Sequence, residues 1–304
     1  MIEVSHLTKK FGALTAVDDL SFQVQPGRVT GFLGPNGAGK TTTLRMALNL
    51  VRATAGSVTF DGQRYDQLNK PQSHVAAALE ASSFHPGRTA LDHLKCLAPL
   101  TGAPDSRCHE VLGLVGLKDV AKKRVKGFSM GMRGRLGLAA TLLGDPEVLL
   151  LDEPTNGLDP EGIAWMRGLL RHLAGEGRTI LISSHLLSEV QQTVDDVIIV
   201  AHGRLVHSSS LAELEKLSEA RTLVVAADPG ALVALAERSG WRVAMLPAPP
   251  GGGQPQGIDI VGTSAAEIGH ACFAAGIELR QLASQAEGLE EAFLALTEGR
   301  GGMR

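Results

Sequence analysis

A glycine-rich segment that ends in a lysine and a threonine begins at Gly34. It reads Gly34-Pro-Asn-Gly-Ala-Gly-Lys40-Thr41 and fits the pattern GxxxxGK[ST]. The glycines let the backbone curl so that its N–H groups face a chain of phosphates, and a helix N-terminus adds a positive dipole. Lys40 can reach the outer phosphates, and the Thr41 hydroxyl can ligate Mg²⁺. The segment follows an apolar strand pattern and precedes a helical one, as this mechanism requires.

A second acidic element follows an apolar run. The segment VLLLDEP starts at residue 148, so Asp152 is predicted at the carboxyl end of a buried strand. Ligands bind at that end of an α/β sheet. Asp152 can hold Mg²⁺, and the neighbouring Glu153 points elsewhere and can take a proton from an attacking water. Together with the glycine-rich segment, this pair predicts a phosphate-binding site with a metal and a general base.

The elements around these motifs alternate between strands and helices. Apolar strand patterns begin at residues 28, 56, 148, 179 and 197, and helical patterns cover residues 41–51, 134–144, 160–174 and the stretch from His185. This order predicts the α/β class with a mostly parallel central sheet. Residues 2–7 and 20–24 alternate like edge strands, which predicts an antiparallel layer beside that sheet.

The composition shifts after about residue 208. We predict a first domain over 1–210, a linker helix over 211–219 and a small α+β domain over 220–304. The last of these shows the order β-α-β-β-α-β, which is typical of a split-βαβ, ferredoxin-like unit. A final helix is predicted for EGLEEAFLALTEG from residue 287.

Composition and charge exclude several classes. The 304 residues carry a formal net charge of -3 and are 44% hydrophobic, which excludes a disordered chain. The only dense basic run, KDVAKKRVK from residue 118, is typical of a solvated face, so we expect no nucleic-acid partner. No apolar run approaches the ~18 residues of a membrane span. MIEVSHLTKKFG lacks a signal-peptide core, and the spacing of Cys96, Cys108 and Cys272 fits reduced thiols, so we expect a cytosolic protein.

Over about residues 1–210 the chain resembles the nucleotide-binding domain of ABC (ATP-binding cassette) proteins. Further segments match the family pattern in order: Phe11 at the adenine-stacking position, FSMGM from residue 128 at the signature position, Asn156-Gly-Leu-Asp159 in the loop that crosses the dimer interface, and His185 at the switch histidine. The signature is commonly LSGGQ, so Met130 and Met132 depart from it while Ser129 and Gly131 match. Glu80 stands where the family usually has glutamine. The resemblance implies ATP and Mg²⁺ as cofactors and a helical subdomain over about 82–145.

The resemblance also implies a set of site residues. The implied catalytic residues are Glu153, His185 and Lys40. The implied nucleotide contacts are Phe11, Val17, Gly34, Pro35, Asn36, Gly37, Ala38, Gly39, Lys40, Thr41, Thr42 and Asp159, with Ser129 and Gly131 acting from a second chain. The implied Mg²⁺ ligands are Thr41, Asp152 and Glu80.

Within the family, the chain is most similar to ATPase subunits of ABC-2-type exporters, the group with drug, antibiotic-resistance and lantibiotic-immunity systems. The similarity rests on the single cassette, on GPNGAGKTTTLRM, on GMRGRLGLAATLLGDPEVLLLDEPTNGLDP and on the C-terminal extension ending in LEEAFLALTEG. It implies a head-to-tail dimer, with a second copy or a paralogous cassette, and a separate multi-span permease. The chain would then lie on the cytoplasmic face of the membrane, docked through the stretch from Glu80 to about His93.

Three alternatives stay open at this point. An importer ATPase would have nearly the same sequence pattern. A soluble cassette acting on ribosomes or DNA is disfavoured, because this chain has one cassette, no sustained heptads and no basic surface. A module that binds ATP without hydrolysing it is disfavoured by intact Glu153 and His185, whereas Glu80 keeps it open. The transported molecule would contact the membrane partner, so this sequence does not identify it.

Overall fold

The described residues of the computed structural model are 1–79, 84–217, 221–245, 257–285, 293–294 and 296–297. The chain divides into two units, Met1–Leu211 and Ala212–Gly299. The predicted helix from residue 287 falls largely outside the described residues, and so does Glu80.

The first unit contains nine strands and seven helices among the described residues. Its strands are β1 (Ile2–Phe11), β2 (Leu14–Val24), β3 (Val29–Leu33), β4 (Ala55–Phe60), β5 (Val75–Ala78), β6 (Val148–Asp152), β7 (Thr179–Ser184), β8 (Asp196–Ala201) and β9 (Arg204–Ser210). Its helices are α1 (Lys40–Ala47), α2 (Pro71–His74), α3 (Ala90–Thr101), α4 (Asp105–Leu114), α5 (Met130–Thr141), α6 (Pro160–Gly175) and α7 (Leu187–Val190). Helix α8 (Leu211–Leu217) begins at the boundary between the units.

A six-stranded sheet forms the centre of the first unit, in the order β5-β6-β7-β3-β8-β9. All its pairings are parallel except that of β8 with β9. Strands β3 and β7 are buried along their whole length, which is typical of a parallel sheet with both faces covered. The predicted α/β class with a mostly parallel sheet is therefore confirmed.

An antiparallel layer of three strands lies beside this sheet, in the order β2-β1-β4. The sequence predicts this layer but describes both N-terminal segments as edge strands. The structure corrects that detail, because β1 pairs on both sides and is the central strand. Phe22 and Val24 of β2, with Phe32 of β3, share one buried cluster with Leu44 of α1. This layer therefore covers the glycine-rich segment from Gly34 to Thr41, called the phosphate loop from here on.

Helices α3, α4 and α5 occupy most of the predicted helical subdomain. The Thr89 hydroxyl caps α3 by accepting from the Asp92 N–H, and Gly102 ends that helix in the left-handed conformation. Ser129 caps α5 in the same way, by accepting from the Met132 N–H. Leu94, Leu112 and Leu136, one from each helix, are completely buried.

The second unit contains β10 (Arg221–Ala226), α9 (Pro229–Arg238), β11 (Arg242–Met245), β12 (Ile258–Val261), α10 (Ala265–Ala274) and β13 (Leu279–Gln285). Its sheet has the order β11-β12-β10-β13, with all neighbours antiparallel. A ferredoxin-like unit has this strand order. Val224, Ile260 and Ile268 belong to its own hydrophobic core.

Strands β5 and β9 are absent from the sequence-based prediction. β5 is the short run VAAA, whose alanines carry no strand signal, and it forms only because it pairs with β6 at the sheet edge. β9 is polar and becomes a strand by hairpin pairing with β8. The helix predicted from His185 begins at Leu187 and has only four residues.

Strand β6 offers a test of the core. Leu150 is fully buried in it, so Leu150→Ala should lower the free energy of unfolding by about 2–5 kcal/mol, through lost transfer energy and a residual cavity. Urea denaturation measures this. Leu14→Ala is the matched control, because Leu14 is 66% exposed and its truncation should change stability by about 0.5 kcal/mol or less. Equal losses in both variants would contradict the assignment of β6 to the core.

Candidate active site

The glycine-rich segment forms a loop between β3 and α1, and Lys40 is the first residue of that helix. Gly39 precedes the helix with φ +98°, a conformation that favours glycine. A Cβ on Gly39 would lie 2.5 Å from the Ala16 carbonyl oxygen, and one on Gly34 would collide with the Val200 carbonyl. The loop therefore needs glycine at both positions to curl closely against its neighbours, and it presents backbone N–H groups at a helix N-terminus, as phosphate binding requires.

Lys40 lies folded back over this loop and is 6% exposed. Its Nζ donates to the Gly34 carbonyl at 2.5 Å and to the Pro35 carbonyl at 3.3 Å, and it lies 3.9 Å from Glu153 Oε1. Burial lowers the pKa of the Lys40 ammonium, whereas the charges of Glu153 and Asp152 act to raise it. The Lys40 ammonium is thus held next to the loop by two backbone carbonyl groups, and a bound phosphate can replace them as its hydrogen-bond acceptor.

Asp152 is held by a hydroxyl at each carboxylate oxygen. Thr41 Oγ1 donates to Oδ2 at 2.8 Å, and Ser183 Oγ donates to Oδ1. Thr41 and Asp152 therefore place two hard oxygen ligands together at the start of α1, which fits Mg²⁺. Among the described residues no cluster of three or more acidic, histidine or cysteine side chains could hold a metal ion.

Glu153 adopts a left-handed backbone with φ +48°, which is uncommon for a residue with a long side chain. Its Oε2 lies 2.8 Å from His185 Nδ1, and its N–H donates to Ser183 Oγ at 2.9 Å. The parallel register places Asp152 of β6 beside Ser183 of β7, so His185 follows two residues later at the same sheet edge. The structure thus brings Lys40, Thr41, Asp152, Glu153 and His185 into one site.

The remaining loop residues vary in exposure. Pro35, Asn36 and Gly37 are exposed at the rim, Thr42 is half-buried in the first turn of α1, and Ala38 is buried. The Ala38 N–H donates to the Pro35 carbonyl at 3.1 Å, which tightens the turn.

The two residues predicted to contact the adenosine moiety differ in access. Phe11 ends β1 and is 49% exposed, with Lys9 Nζ 4.7 Å from its ring centroid, so one ring surface is available for stacking. Val17 is completely buried in the hydrophobic core, 3.1 Å from where a Cβ on Gly39 would lie. Its side chain supports the loop from below and presents no exposed surface to a nucleotide in this structure.

Ser129, Gly131 and Asp159 lie together in a second place. They line a pocket of about 430 Å³, whose described lining contains no residue of the phosphate loop: Ser129, Met130, Gly131, Met132, Arg135, Gly157, Leu158 and Asp159. Ser129 Oγ accepts from the Met132 N–H at 3.2 Å, and Asp159 Oδ1 accepts from the Gly162 N–H at 2.8 Å, so each residue caps a helix. The structure therefore separates the signature residues from Lys40 within one chain.

Two residues of the site are missing from the sequence-based prediction. Ser183 contacts both Asp152 and Glu153. Glu189 Oε2 lies 3.3 Å from Thr155 Oγ1 and 3.2 Å from Ser184 Oγ, so it links the loop after Glu153 to the segment that carries His185. The sequence does contain a signal for Ser183, because the apolar strand pattern TILISS ends in two serines. A hydroxyl at the carboxyl end of this strand can contact the Asp152 carboxylate at the end of the neighbouring strand VLLLD. The predicted role of Glu80 lies outside the described residues.

Comparison with known proteins places this geometry in a family. A sequence profile described as ABC transporter matches residues 17–156. The bacitracin transport ATP-binding protein BcrA of Bacillus licheniformis is 44% identical over 220 residues, which are 71% of this chain and 72% of that protein. The lantibiotic transport ATP-binding protein SrtF of Streptococcus pyogenes is 35% identical over 219 residues, which are 72% of this chain and 95% of that protein.

A solved structure agrees with the fold. It is a dimeric ATP-binding cassette in a post-hydrolysis state bound to ADP and Pi, with a TM-score of 0.63 and 23% sequence identity, and it covers 69% of this chain and 99% of that one. The chain belongs to the ABC transporter family, as an ATP-binding subunit. It is an ATPase of a transporter, and its relatives favour the exporter interpretation over the importer alternative.

Substitution of Lys40 tests the assignment of the phosphate loop. Lys40→Ala removes a charge that can form charge-assisted hydrogen bonds with phosphate, so ATP affinity should fall about tenfold to hundredfold. Isothermal titration with ATP measures this. Lys126→Ala is the control, because Lys126 is exposed in the helical region, and its ATP affinity should match the wild type. Unchanged affinity in Lys40→Ala would refute the phosphate-loop assignment.

Proposed function

We propose that this chain hydrolyses MgATP at the site formed by Lys40, Thr41, Asp152, Glu153 and His185, and that this powers a separate membrane permease that exports a peptide antibiotic. The observation that carries the proposal is the convergence of a buried ammonium, two carboxylates and an imidazole beside a glycine loop. Relatives named for bacitracin and lantibiotic transport supply the substrate class.

The side chains have complementary tasks in this proposal. The loop N–H groups and Lys40 bind the phosphate chain, and Thr41 with Asp152 would hold the Mg²⁺ that neutralises charge on the phosphate oxygens when bound. Glu153 accepts a proton from the attacking water. His185, 2.8 Å from Glu153 Oε2, orients that carboxylate toward the water, and Phe11 stacks on the adenine.

Two cassettes acting together complete the site. Ser129 and Gly131 line a pocket whose described lining contains no residue of the phosphate loop of their own chain, so we infer that they bind the ATP of a second cassette. A head-to-tail pair would then contain two such sites, each closed by the signature of the other chain. The partner is a second copy or a paralogous cassette. A dimeric cassette is among the solved proteins with this fold, which supports the arrangement.

A groove in the first unit offers a place for the permease. It has a volume of about 530 Å³ and is lined mainly by apolar side chains, among them Val75, Leu79, Phe84 and Leu97. His93 is a polar member of the lining, and burial together with the Arg88 charge lowers the pKa of its imidazole, so the ring is neutral at pH 7. The groove overlaps the predicted docking stretch from Glu80 to about His93, and a short amphipathic helix of the permease would bury its apolar face there.

No described helix of this chain has the length and apolarity of a membrane span. By analogy with relatives named as transport ATP-binding proteins, we propose that the transmembrane path belongs to another chain and that this cassette lies on the cytoplasmic face of the membrane.

Glu153→Gln tests the catalytic base. The substitution keeps the shape of the side chain and removes its ability to accept a proton, so kcat for ATP hydrolysis should fall by about 10²–10⁴. ATP affinity should stay within about twofold, since the phosphate contacts remain. Glu147→Gln is the control, because Glu147 is an exposed residue just before β6, and it should hydrolyse ATP at the wild-type rate.

The same variant reports on the dimer. With ATP present, Glu153→Gln should accumulate as a dimer in size-exclusion chromatography, because ATP joins the two cassettes and hydrolysis no longer separates them. Adding Ser129→Arg to this variant should prevent that dimer. Wild-type turnover in Glu153→Gln would contradict the base assignment, and a strictly monomeric protein would contradict head-to-tail pairing.

The transport proposal is tested by pull-down of the tagged chain from native membranes, followed by ATPase assays with and without the recovered partner. We expect a multi-span protein that changes the rate, and ATP-dependent accumulation of bacitracin or a lantibiotic in inside-out vesicles that contain both chains. Accumulation only in right-side-out vesicles would favour an importer. Recovery of ribosomes or DNA without a membrane protein would favour a soluble cassette.

A further inference from the structure

One hydroxyl contacts both functional carboxylate residues. Ser183 is the penultimate residue of β7 and is completely buried. The parallel register places it beside Asp152 of β6. Its Oγ donates to Asp152 Oδ1 and accepts the N–H of Glu153 at 2.9 Å. The single hydroxyl hydrogen is donated to the Asp152 carboxylate, and one of the two oxygen lone pairs accepts the backbone N–H of Glu153.

The contact with Glu153 matters because of the backbone there. At φ +48° the chain turns out of the strand direction at Glu153, and the Glu153 N–H at the start of that turn is bonded to Ser183 Oγ. The side chain of Glu153 then reaches His185 at 2.8 Å and Lys40 at 3.9 Å. Loss of the Ser183 oxygen would leave a partly buried donor without an acceptor and would release the peptide that aims this carboxylate.

The contact with Asp152 matters because of the metal. Thr41 holds Oδ2 and Ser183 holds Oδ1, so both oxygens of the carboxylate are fixed and its plane is defined. A rigid carboxylate suits Mg²⁺, which demands near-ideal octahedral geometry. Without the Ser183 hydroxyl, the Asp152 carboxylate would keep Thr41 as its only hydrogen-bond donor among the described residues.

We propose that Ser183 is a positioning residue that orients Asp152 for Mg²⁺ and Glu153 for its proton transfer, through one shared hydroxyl. This inference rests on the proposed ATP hydrolysis. It predicts a defect in metal binding and in turnover, with nucleotide binding in the absence of metal preserved, because Ser183 has no described contact with the phosphate loop.

Ser184 provides a matched control within the same strand. It is also completely buried, but strand alternation turns it to the other side. Its hydroxyl contacts the Leu186 carbonyl at 3.0 Å and Glu189 Oε2 at 3.2 Å, and it accepts from the Leu186 N–H at 3.1 Å. Ser184→Ala therefore deletes the same chemical group at the same burial without touching Asp152.

The experiment compares Ser183→Ala with Ser184→Ala and the wild type in full-length chains. Mn²⁺ binding in the presence of a non-hydrolysable ATP analogue is measured by electron paramagnetic resonance, and analogue affinity is measured separately in EDTA. In Ser183→Ala we expect the Mn²⁺ Kd to rise about tenfold and kcat to fall about tenfold or more, consistent with loss of a buried hydrogen bond to a charged group. Affinity in EDTA should stay within about twofold, and Ser184→Ala should keep the wild-type Mn²⁺ Kd.

Two further variants, Ser183→Cys and Ser183→Thr, distinguish loss of the hydroxyl from a general folding defect. The thiol of cysteine is somewhat larger and a weak hydrogen-bond partner, so Ser183→Cys should raise the Mn²⁺ Kd, and its melting temperature, compared with that of Ser183→Ala, reports any change in folding separately. Ser183→Thr restores the hydroxyl and should recover the Mn²⁺ affinity. Wild-type Mn²⁺ affinity in Ser183→Ala, or an equal loss in Ser184→Ala, would overturn the positioning role. A wild type without ATPase activity, or full activity in Glu153→Gln, would instead overturn the proposed function itself.

Discussion

Two adjacent carboxylates that lie beside one buried ammonium group are the interaction on which the rest of the site depends. Lys40 Nζ lies 3.9 Å from Glu153 Oε1, and burial lowers its pKa while both carboxylates raise it. Charges at this depth are costly unless they are paired and hydrogen-bonded. The parallel sheet provides the pairing, because β3, β6 and β7 all end at the same edge. Neighbouring loops can therefore supply a cation, two anions and two hydroxyls to one place.

Much of this site is predictable from the sequence, because its strongest signals are contiguous. The phosphate loop and the Asp152–Glu153 pair each occupy one short segment, and the residue types in that segment predict its chemistry without knowledge of the fold. Ser183 is different, since its contact with Asp152 spans 31 positions and depends on strand register. Val17 shows a different limit of sequence-based prediction. It is expected to contact the nucleotide and lies next to the loop in the fold, but its side chain is completely buried. β5 also escapes prediction, since pairing with β6, not its alanines, makes it a strand.

The altered signature segment shows how the chain accommodates a departure from its family pattern. Met130 replaces a glycine of the common signature, and its thioether lies over Gly157, which has φ +75°. A Cβ at position 157 would collide with that side chain, so the methionine uses space that only a glycine leaves free. The helix start that presents Ser129 and Gly131 is retained, with the Ser129 hydroxyl still capping α5. The methionine thus joins the signature helix to the loop before Asp159 within one chain.

The register between β6 and β7 has a consequence for which changes of chain length this protein can tolerate. Each residue advances a strand by about 3.3 Å, and neighbouring side chains point to opposite faces. Deleting one residue within β7 would carry His185 along the sheet by that distance and place Ile182 or Ser184 beside Asp152. A deletion in the exposed turn at Glu176–Gly177 could be absorbed by the loop. Length variation among homologous chains should therefore collect in the turns and avoid the seven residues from Arg178 to Ser184, even though several of them never approach a phosphate.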